Sequence, residues 1–296
     1  MVHGAAARDR RSIRTEQVTD STTRTGPEWA SASGDAWAEL WEHTDRGLGG
    51  LAPQLLSATL AQAPDGAFRA FDVGCGPAST TIALADARGD ASIVACDISP
   101  SLVEVAQSRT AGRSNVEVVL GDAEELAEQR GPFDLIFSRH GVMFFPDPIQ
   151  AFRRLRASTR SGGSLVFSCF QDWAANPWAS ELAEAVAGHS LPSPGREPSG
   201  FAFADPEYVG EILKSSGWAD AGPGAVSFDY VAQSVEDAMS FLTRIGPASV
   251  LLRSLPEAEQ ESARGRMRQL FEAHLDGATV SFPAAAWIWS ARAGSA

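Results

Sequence analysis

The sequence predicts an α/β fold: a mostly parallel seven-stranded sheet with helices on both faces, plus a helical lid. Two observations carry this. Between residues 70 and 170, five short β-branched or aromatic runs alternate with helical periods. Strands separated by helices of that length pair in parallel through right-handed crossovers, which cover both faces of the sheet. Beyond residue 170 the alternation loosens into helices, a Pro/Gly/Ser loop and two further strand patterns.

Taken in order, residues 1–25 are polar and rich in Arg, Thr and Ser, and a disordered tail is expected there. From 29 to 60 the pattern turns amphipathic, with Trp37, Leu40 and Trp41 on one helical face and Leu48, Leu51, Leu55 and Leu56 continuing it. Strands are expected at 70–73, 92–96, 116–120, 133–138 and 164–170. Helices are expected at 77–87, 100–109, 123–129 and 148–159. Pro77 and Pro100 suit first helical turns, where a missing N–H costs nothing, and Ser99 suits an N-cap. After 170 come a helix at 177–187, a loop at 190–200 and a helix at 206–216 ended by Gly217. A strand at 226–231, a helical stretch at 235–275 broken at Gly246-Pro247 and Pro256, and a strand at 279–289 complete the chain. There is no internal repeat.

Composition narrows the function. With 296 residues, 44% of them hydrophobic, the chain has material for one large core and a second lobe. The formal net charge is −13, and the basic residues are scattered arginines with Lys214 as the only lysine. That argues against binding nucleic acid or inserting in a membrane, both of which favour concentrated basic or long apolar segments. Cys75, Cys96 and Cys169 are odd in number, with no CxxC pair and no histidine at ligand spacing, so neither disulfides nor a metal are expected. No signal-peptide pattern opens the chain, and a reducing cytoplasm is the expected location.

The strongest chemical signal is Phe71-Asp72-Val73-Gly74-Cys75-Gly76-Pro77, between the first strand and its helix. Glycines there let the backbone turn tightly and approach a ligand at the carboxyl edge of the sheet. A dinucleotide fingerprint would need a third glycine where Ser79 stands, and no phosphate-loop lysine follows. The second strand ends at Asp97, about 20 residues past the glycines, where such folds hold ribose hydroxyls. The third ends at Gly121-Asp122-Ala123 and the fourth at Ser138-Arg139-His140. Each of Asp97, Asp122 and Ser138 alone reads as a helix cap. Four strands ending in polar residues on one edge read as a binding site.

These runs resemble the Rossmann-like class I S-adenosylmethionine-dependent methyltransferases. Residues 139–148 (RHGVMFFPDP), 161–170 (SGGSLVFSCF), Asn176-Pro177-Trp178 and 201–206 (FAFADP) are more narrowly similar to the ubiquinone/menaquinone-biosynthesis-type methyltransferase family. The resemblance spans roughly residues 35–290 and specifies the cofactor better than the acceptor. It implies five segments: a tail (1–25), N-terminal helices over the cofactor (26–60), a cofactor-binding core (61–170), a lid (171–204) and the end of the core with a helical insertion (205–296). It implies that Asp72 contacts the amino acid part of S-adenosylmethionine, directly or through water, with the backbone from Gly74 through Cys75 and Gly76 to Pro77 alongside. Asp97 would accept from both ribose hydroxyls, with Ile98 against the adenine. Asp122 would bond the adenine amino group, beside Ala123, and Ser138 would border the methionine moiety. Trp37 and Trp41 would fold over the cofactor or simply pack their helix on the core.

A sulfonium is an activated methyl donor, so the protein need only align the reactants and exclude water. His140 follows the fourth strand where the family commonly has an aromatic residue, and is the one candidate general base, or a packing substitute. Arg139 could bind an acidic acceptor or pair with a helix end. Phe144, Trp173, Trp178, Phe201 and Phe203, with Tyr208 and Trp218, could wall an acceptor pocket, although each alone reads as core. His43, His189 and His274 lie outside any motif. The expected activity is methyl transfer to the O, N or C atom of a small, apolar or aromatic acceptor by a monomer or homodimer. The alternative is a protein that binds the cofactor without methyl transfer or uses its sulfonium electrostatically. A nucleic-acid methyltransferase fits less well, because Ser138-Arg139-His140-Gly141 replaces the Asn/Asp-Pro-Pro-aromatic run of amino-methylating enzymes.

Overall fold

The computed structural model describes residues 29–30 and 32–294; the expected N-terminal tail lies outside the described residues. Three helices come first, α1 (Ala32–Glu39), α2 (Trp41–Gly47) and α3 (Ala52–Gln62). The alternating core follows: β1 (Phe68–Val73), α4 (Ser79–Ala87), β2 (Ala91–Asp97), α5 (Pro100–Thr110), β3 (Val116–Leu120), α6 (Ala123–Arg130), β4 (Phe133–Arg139), α7 (Pro148–Ala157) and β5 (Thr159–Phe170). Then come α8 (Pro177–Ala187), α9 (Pro206–Ser215), β6 (Trp218–Ala232), α10 (Val235–Leu242), α11 (Pro247–Ser254), α12 (Glu257–Ala273), β7 (Leu275–Asp276) and β8 (Thr279–Ala293).

The sheet runs β3-β2-β1-β4-β5-β8-β6, with β7 paired only to β8. Strands β1 to β5 pair in parallel, and β8 is antiparallel to both β5 and β6. The seven expected strands are present, and the two-residue β7 is an addition. In β1, β4 and β5, consecutive residues are buried rather than alternate ones, so both faces of the sheet are covered. The core is largely aromatic. Phe71 stacks on Phe133 at 4.8 Å, and Phe167 lies against Phe152 at 5.4 Å and Trp289 at 6.2 Å.

Element ends differ from expectation in several places, β5 starting at Thr159 and β8 running to Ala293, and two of the differences have a local cause. β6 begins at Trp218, well before 226, because Gly222, Pro223 and Gly224 pair with Ser290, Trp289 and Ile288 of β8. β6 pairs only with β8 along this path, and an edge strand tolerates a proline that cannot donate to the ladder. Helix α4 begins at Ser79 rather than at Pro77, because Ala78 is left-handed (φ 64°) and its N–H closes a turn on the Cys75 carbonyl at 2.9 Å. The break expected at Gly246-Pro247 separates α10 from α11, with Gly246 at φ +85°.

Phe167 has no exposed surface and touches rings from three other elements or loops. Phe167→Ala is expected to cost about 3–5 kcal/mol, the range for a buried aromatic truncated to a cavity. The urea midpoint should fall with little change in the denaturant slope.

Candidate active site

A cavity of about 290 Å³ opens at the carboxyl edge of the parallel strands. Loops after β1, β2, β3 and β4 form one side of it, through Gly74, Cys75, Pro77, Asp97, Ile98, Asp122, Ala123, Arg139 and His140. Trp37 of α1 and the aromatics Phe144, Trp178 and Phe201 form the other. These thirteen sequence-selected residues therefore share one wall. Asp72, Gly76, Trp41, Ser138, Trp173 and Phe203 do not line it.

The loop after β1 is built on backbone contacts. Gly74 (φ +64°) runs against Gly141 of the loop after β4: a Cβ on Gly74 would lie 3.1 Å from the Gly141 Cα, and one on Gly141 would lie 2.6 Å from the Val73 carbonyl oxygen. The glycines let two strand ends close on each other. Gly76 (φ +53°) has open space at its Cβ and serves differently. Its N–H donates to Asp97 Oδ2 at 2.9 Å, while Asp97 Oδ1 accepts from the Ser99 N–H at 2.9 Å. One carboxylate thus joins the loops after β1 and β2. Asp97 is 8% exposed, and burial raises its pKa above the ordinary carboxylate value against three backbone hydrogen bonds that lower it. Asp122 caps α6 through Oδ1, at 2.8 Å from the Glu124 N–H, and among the described residues Oδ2 makes no hydrogen bond. Capping and facing the cavity are compatible roles for it.

Several candidates stand behind the wall. Ser138 is fully buried and ties backbones together, donating to the Val73 carbonyl at 2.7 Å and accepting from the Gly141 N–H at 3.1 Å. Trp41 lies under the Arg109 guanidinium at 3.9 Å and anchors α2 on the core. Trp173 meets Phe201 edge-on at 4.8 Å from outside the cavity, and Phe203 packs into the core against Phe152 and Phe167.

Arg139 pairs with a helix. Its Nη2 lies 2.9 Å from Asp45 Oδ1 on α2, and its side chain is 9% exposed. Asp45 Oδ2 also accepts from Ser79 Oγ at 2.5 Å and Arg109 Nη1 at 3.1 Å. Arg109 in turn donates to the Pro77 carbonyl at 2.6 Å. Asp45, which no motif marked, therefore clamps the N-terminal helices to the loops after β1 and β4.

His140 takes a left-handed backbone (φ +60°), uncommon for a non-glycine residue. Its Nδ1 is 2.7 Å from Ser168 Oγ, its ring meets Phe170 edge-on at 4.1 Å, and its Nε2 has no partner in the protein. Burial, and secondly the Arg139 charge, push its pKa down to about 3, so the imidazole is neutral at physiological pH. Residues that sequence reasoning missed also line the cavity, among them Leu48, Phe170, Tyr230, Pro247 and Val250. Tyr230 stacks on Trp178 at 4.4 Å and carries a hydroxyl whose pKa burial raises. These come from distant segments, and only the period-2 alternation of β6 hinted at an inward Tyr230.

The wall thus has two chemical ends. Asp97, Asp122 and Glu124 make one acidic, and Phe144, Phe170, Trp178, Phe201 and Tyr230 make the other aromatic. Among the described residues no helix is long and apolar enough to cross a membrane, and no cluster of His, Cys, Asp or Glu could hold a metal.

Residues 71–167 match the family model described as "Methyltransferase domain". That match covers 97 of the 296 residues. A demethylmenaquinone methyltransferase of Staphylococcus epidermidis is 33% identical over 99 residues, which are 33% of this chain and 41% of the relative. The chain thus spans about two fifths of the length of the curated relatives it matches. The fold is shared more widely. A putative methyltransferase of Bacillus halodurans superposes with a TM-score of 0.53 at 18% identity, covering 82% of this chain and all of the other. A phosphoethanolamine N-methyltransferase of Haemonchus contortus, solved with phosphomonomethylethanolamine and S-adenosylhomocysteine, superposes with a TM-score of 0.53 at 17% identity, covering 89% of this chain and 58% of the other. The mostly parallel sheet with β8 antiparallel is the Rossmann-like methyltransferase fold.

Asp72 yields a prediction about pH. It is 1% exposed; Oδ2 accepts from Thr81 Oγ1 at 2.5 Å, and Oδ1 is buried without a partner. Burial raises its pKa from 3.8 to about 7. Between those values the folded protein keeps a proton that the unfolded chain has released, so stability falls as pH rises through that window. Asp72→Asn keeps the acceptor for Thr81 and should remove this decline. Urea midpoints of both proteins at pH 4, 5.5, 7 and 8 should diverge in favour of the variant as pH rises.

Proposed function

We propose that this chain transfers a methyl group from S-adenosylmethionine to a small, largely apolar or aromatic molecule. The carrying observation is the Asp97 carboxylate at the cavity wall, bonded by the Gly76 and Ser99 N–H groups and continuous with an aromatic pocket. The residues suit the cofactor. Asp97 has lone pairs left for two ribose hydroxyls, and Asp122 Oδ2 is uncommitted and suits an adenine amino group. Ile98 and Ala123 offer the apolar surface beside it. Three acids at this end favour a ligand that carries positive charge. When bound, the cofactor's sulfonium supplies an activated methyl group, which asks little proton chemistry of the protein.

The chain's own residues supply alignment and dryness. The Gly74 backbone and the His140 loop border the junction of the two ends, and Trp37, Trp178 and Phe201 exclude water from it. Residues 171–204 act as the lid over the acceptor, with Trp178 and Phe201 as its inner face. Among the described residues of the wall, the one cation, Arg139, is paired with Asp45, and this supports an uncharged acceptor. The net charge of −13 supports a small molecule over a nucleic acid.

Calorimetric titration with S-adenosylmethionine is expected to show micromolar binding that Asp97→Ala weakens by at least about tenfold, the equivalent of one charge-assisted hydrogen bond. Release of S-adenosylhomocysteine across phenols, quinols and amines then identifies the acceptor. Absence of cofactor binding with and without these acceptors would overturn the reading. Binding without turnover on any of them would leave a cofactor-binding protein.

A further inference from the structure

The contact between His140 and Ser168 determines which nitrogen of the imidazole carries the proton. Nδ1 and Oγ are 2.7 Å apart, and a single hydrogen lies between them. Ser168 is fully buried, and among the described residues its hydroxyl has this one partner. Were the ring protonated on Nδ1, that hydrogen would occupy the contact, and both the serine proton and a bare, buried Nε2 would be left without partners; the other tautomer leaves one orphan among the described residues, the Nε2–H. Each buried unsatisfied polar atom costs about 1–3 kcal/mol. With the serine proton in the contact, Oγ donates to a bare Nδ1, and the one proton of a neutral imidazole sits on Nε2. Nε2 is the ring atom without a protein partner, on a residue of the cavity wall.

The backbone holds this pair together. Arg139 is in register with Ser168 across β4 and β5, and the His140 N–H donates to the Ser168 carbonyl at 3.2 Å. The left-handed turn at His140 then carries the ring beside the same serine it is bonded to, with Phe170 closing over it. Strain of this kind persists where the surroundings over-determine it, and clusters at functional sites.

We propose that Ser168 is a positioning residue that locks His140 as the Nε2–H tautomer, so that His140 donates a hydrogen bond into the cavity instead of removing a proton. The acceptor molecule accordingly presents a carbonyl oxygen to it, beside the atom that is methylated. A donor aimed at that oxygen stabilises the negative charge that makes the neighbouring atom nucleophilic. The ligand half of this inference rests on the methyl-transfer reading; the tautomer half does not.

The test is nitrogen NMR of the full chain labelled with 15N-histidine, the His140 signals being those lost in His140→Gln among the five histidines. In the unliganded protein at pH 7, Nδ1 is expected to resonate as a bare nitrogen and Nε2 as a protonated one. Ser168→Ala should erase that preference. A protonated Nδ1 in the wild type overturns the tautomer whether or not the variant folds. S-adenosylhomocysteine is then added. Its binding together with a protonated Nδ1 sinks this inference and leaves the methyltransferase reading standing, and its failure to bind together with a bare Nδ1 does the reverse. For the ligand half, the probes are 2-hydroxyacetophenone and 2-ethylphenol, which lacks the carbonyl. The first alone should shift the Nε2 signal; equal shifts, or none, overturn the ligand half.

Discussion

The parallel register of the four central strands is the constraint on which the rest of the site depends. β1 is held against β2 at Val73↔Cys96 and against β4 at Asp72↔Phe137, and β4 against β5 at Arg139↔Ser168. In a parallel sheet these pairings bring every carboxyl end out on one edge, and the loops meet there. Register also sets side-chain direction, because a slip of one residue sends each side chain to the opposite face. The 2.7 Å contact of His140 with Ser168, and the closure of Gly74 on Gly141, both require this alignment.

On that frame the loops are joined by charge and by backbone donors rather than by apolar packing. Asp97 links the loops after β1 and β2 through the Gly76 and Ser99 N–H groups. Asp45 does the same at larger scale, binding Arg139, Arg109 and Ser79 and so drawing α2 onto the strand ends. A buried arginine stripped of its partner is expensive, so the N-terminal helices are a wall of the site and not an appendage. Trp41 under Arg109 belongs to that joint, whereas Trp37, one helical turn earlier, faces the cavity.

Burial shifts the pKa values of the interior's titratable groups toward their neutral forms. Asp72 has its pKa raised toward 7 and His140 has its pKa lowered to about 3, both mainly by burial. An uncharged imidazole in an aromatic wall is suited to directing a hydrogen bond, and an acid hidden behind the loop is suited to holding α4 through Thr81.

The sequence by itself determined the layered architecture and the acidic end of the cavity. Alternating strand and helix periods are local signals, and so are a glycine turn and acids at strand ends, each legible within a few residues. Gly74, Asp97, Asp122 and His140 were found in this way. Local signals misjudged the start of α4 and the length of β6, because Ala78 adopts a conformation it does not advertise and Pro223 is tolerated on an edge strand. The tertiary structure alone decided which aromatics face the cavity, separating Trp178 and Phe201 from Trp173 and Phe203. It alone brought in Tyr230 and Asp45, and paired Arg139 with α2 and His140 with Ser168. Those contacts join residues 28 to 94 positions apart, a distance over which no periodicity or motif carries information and only the register of the sheet does.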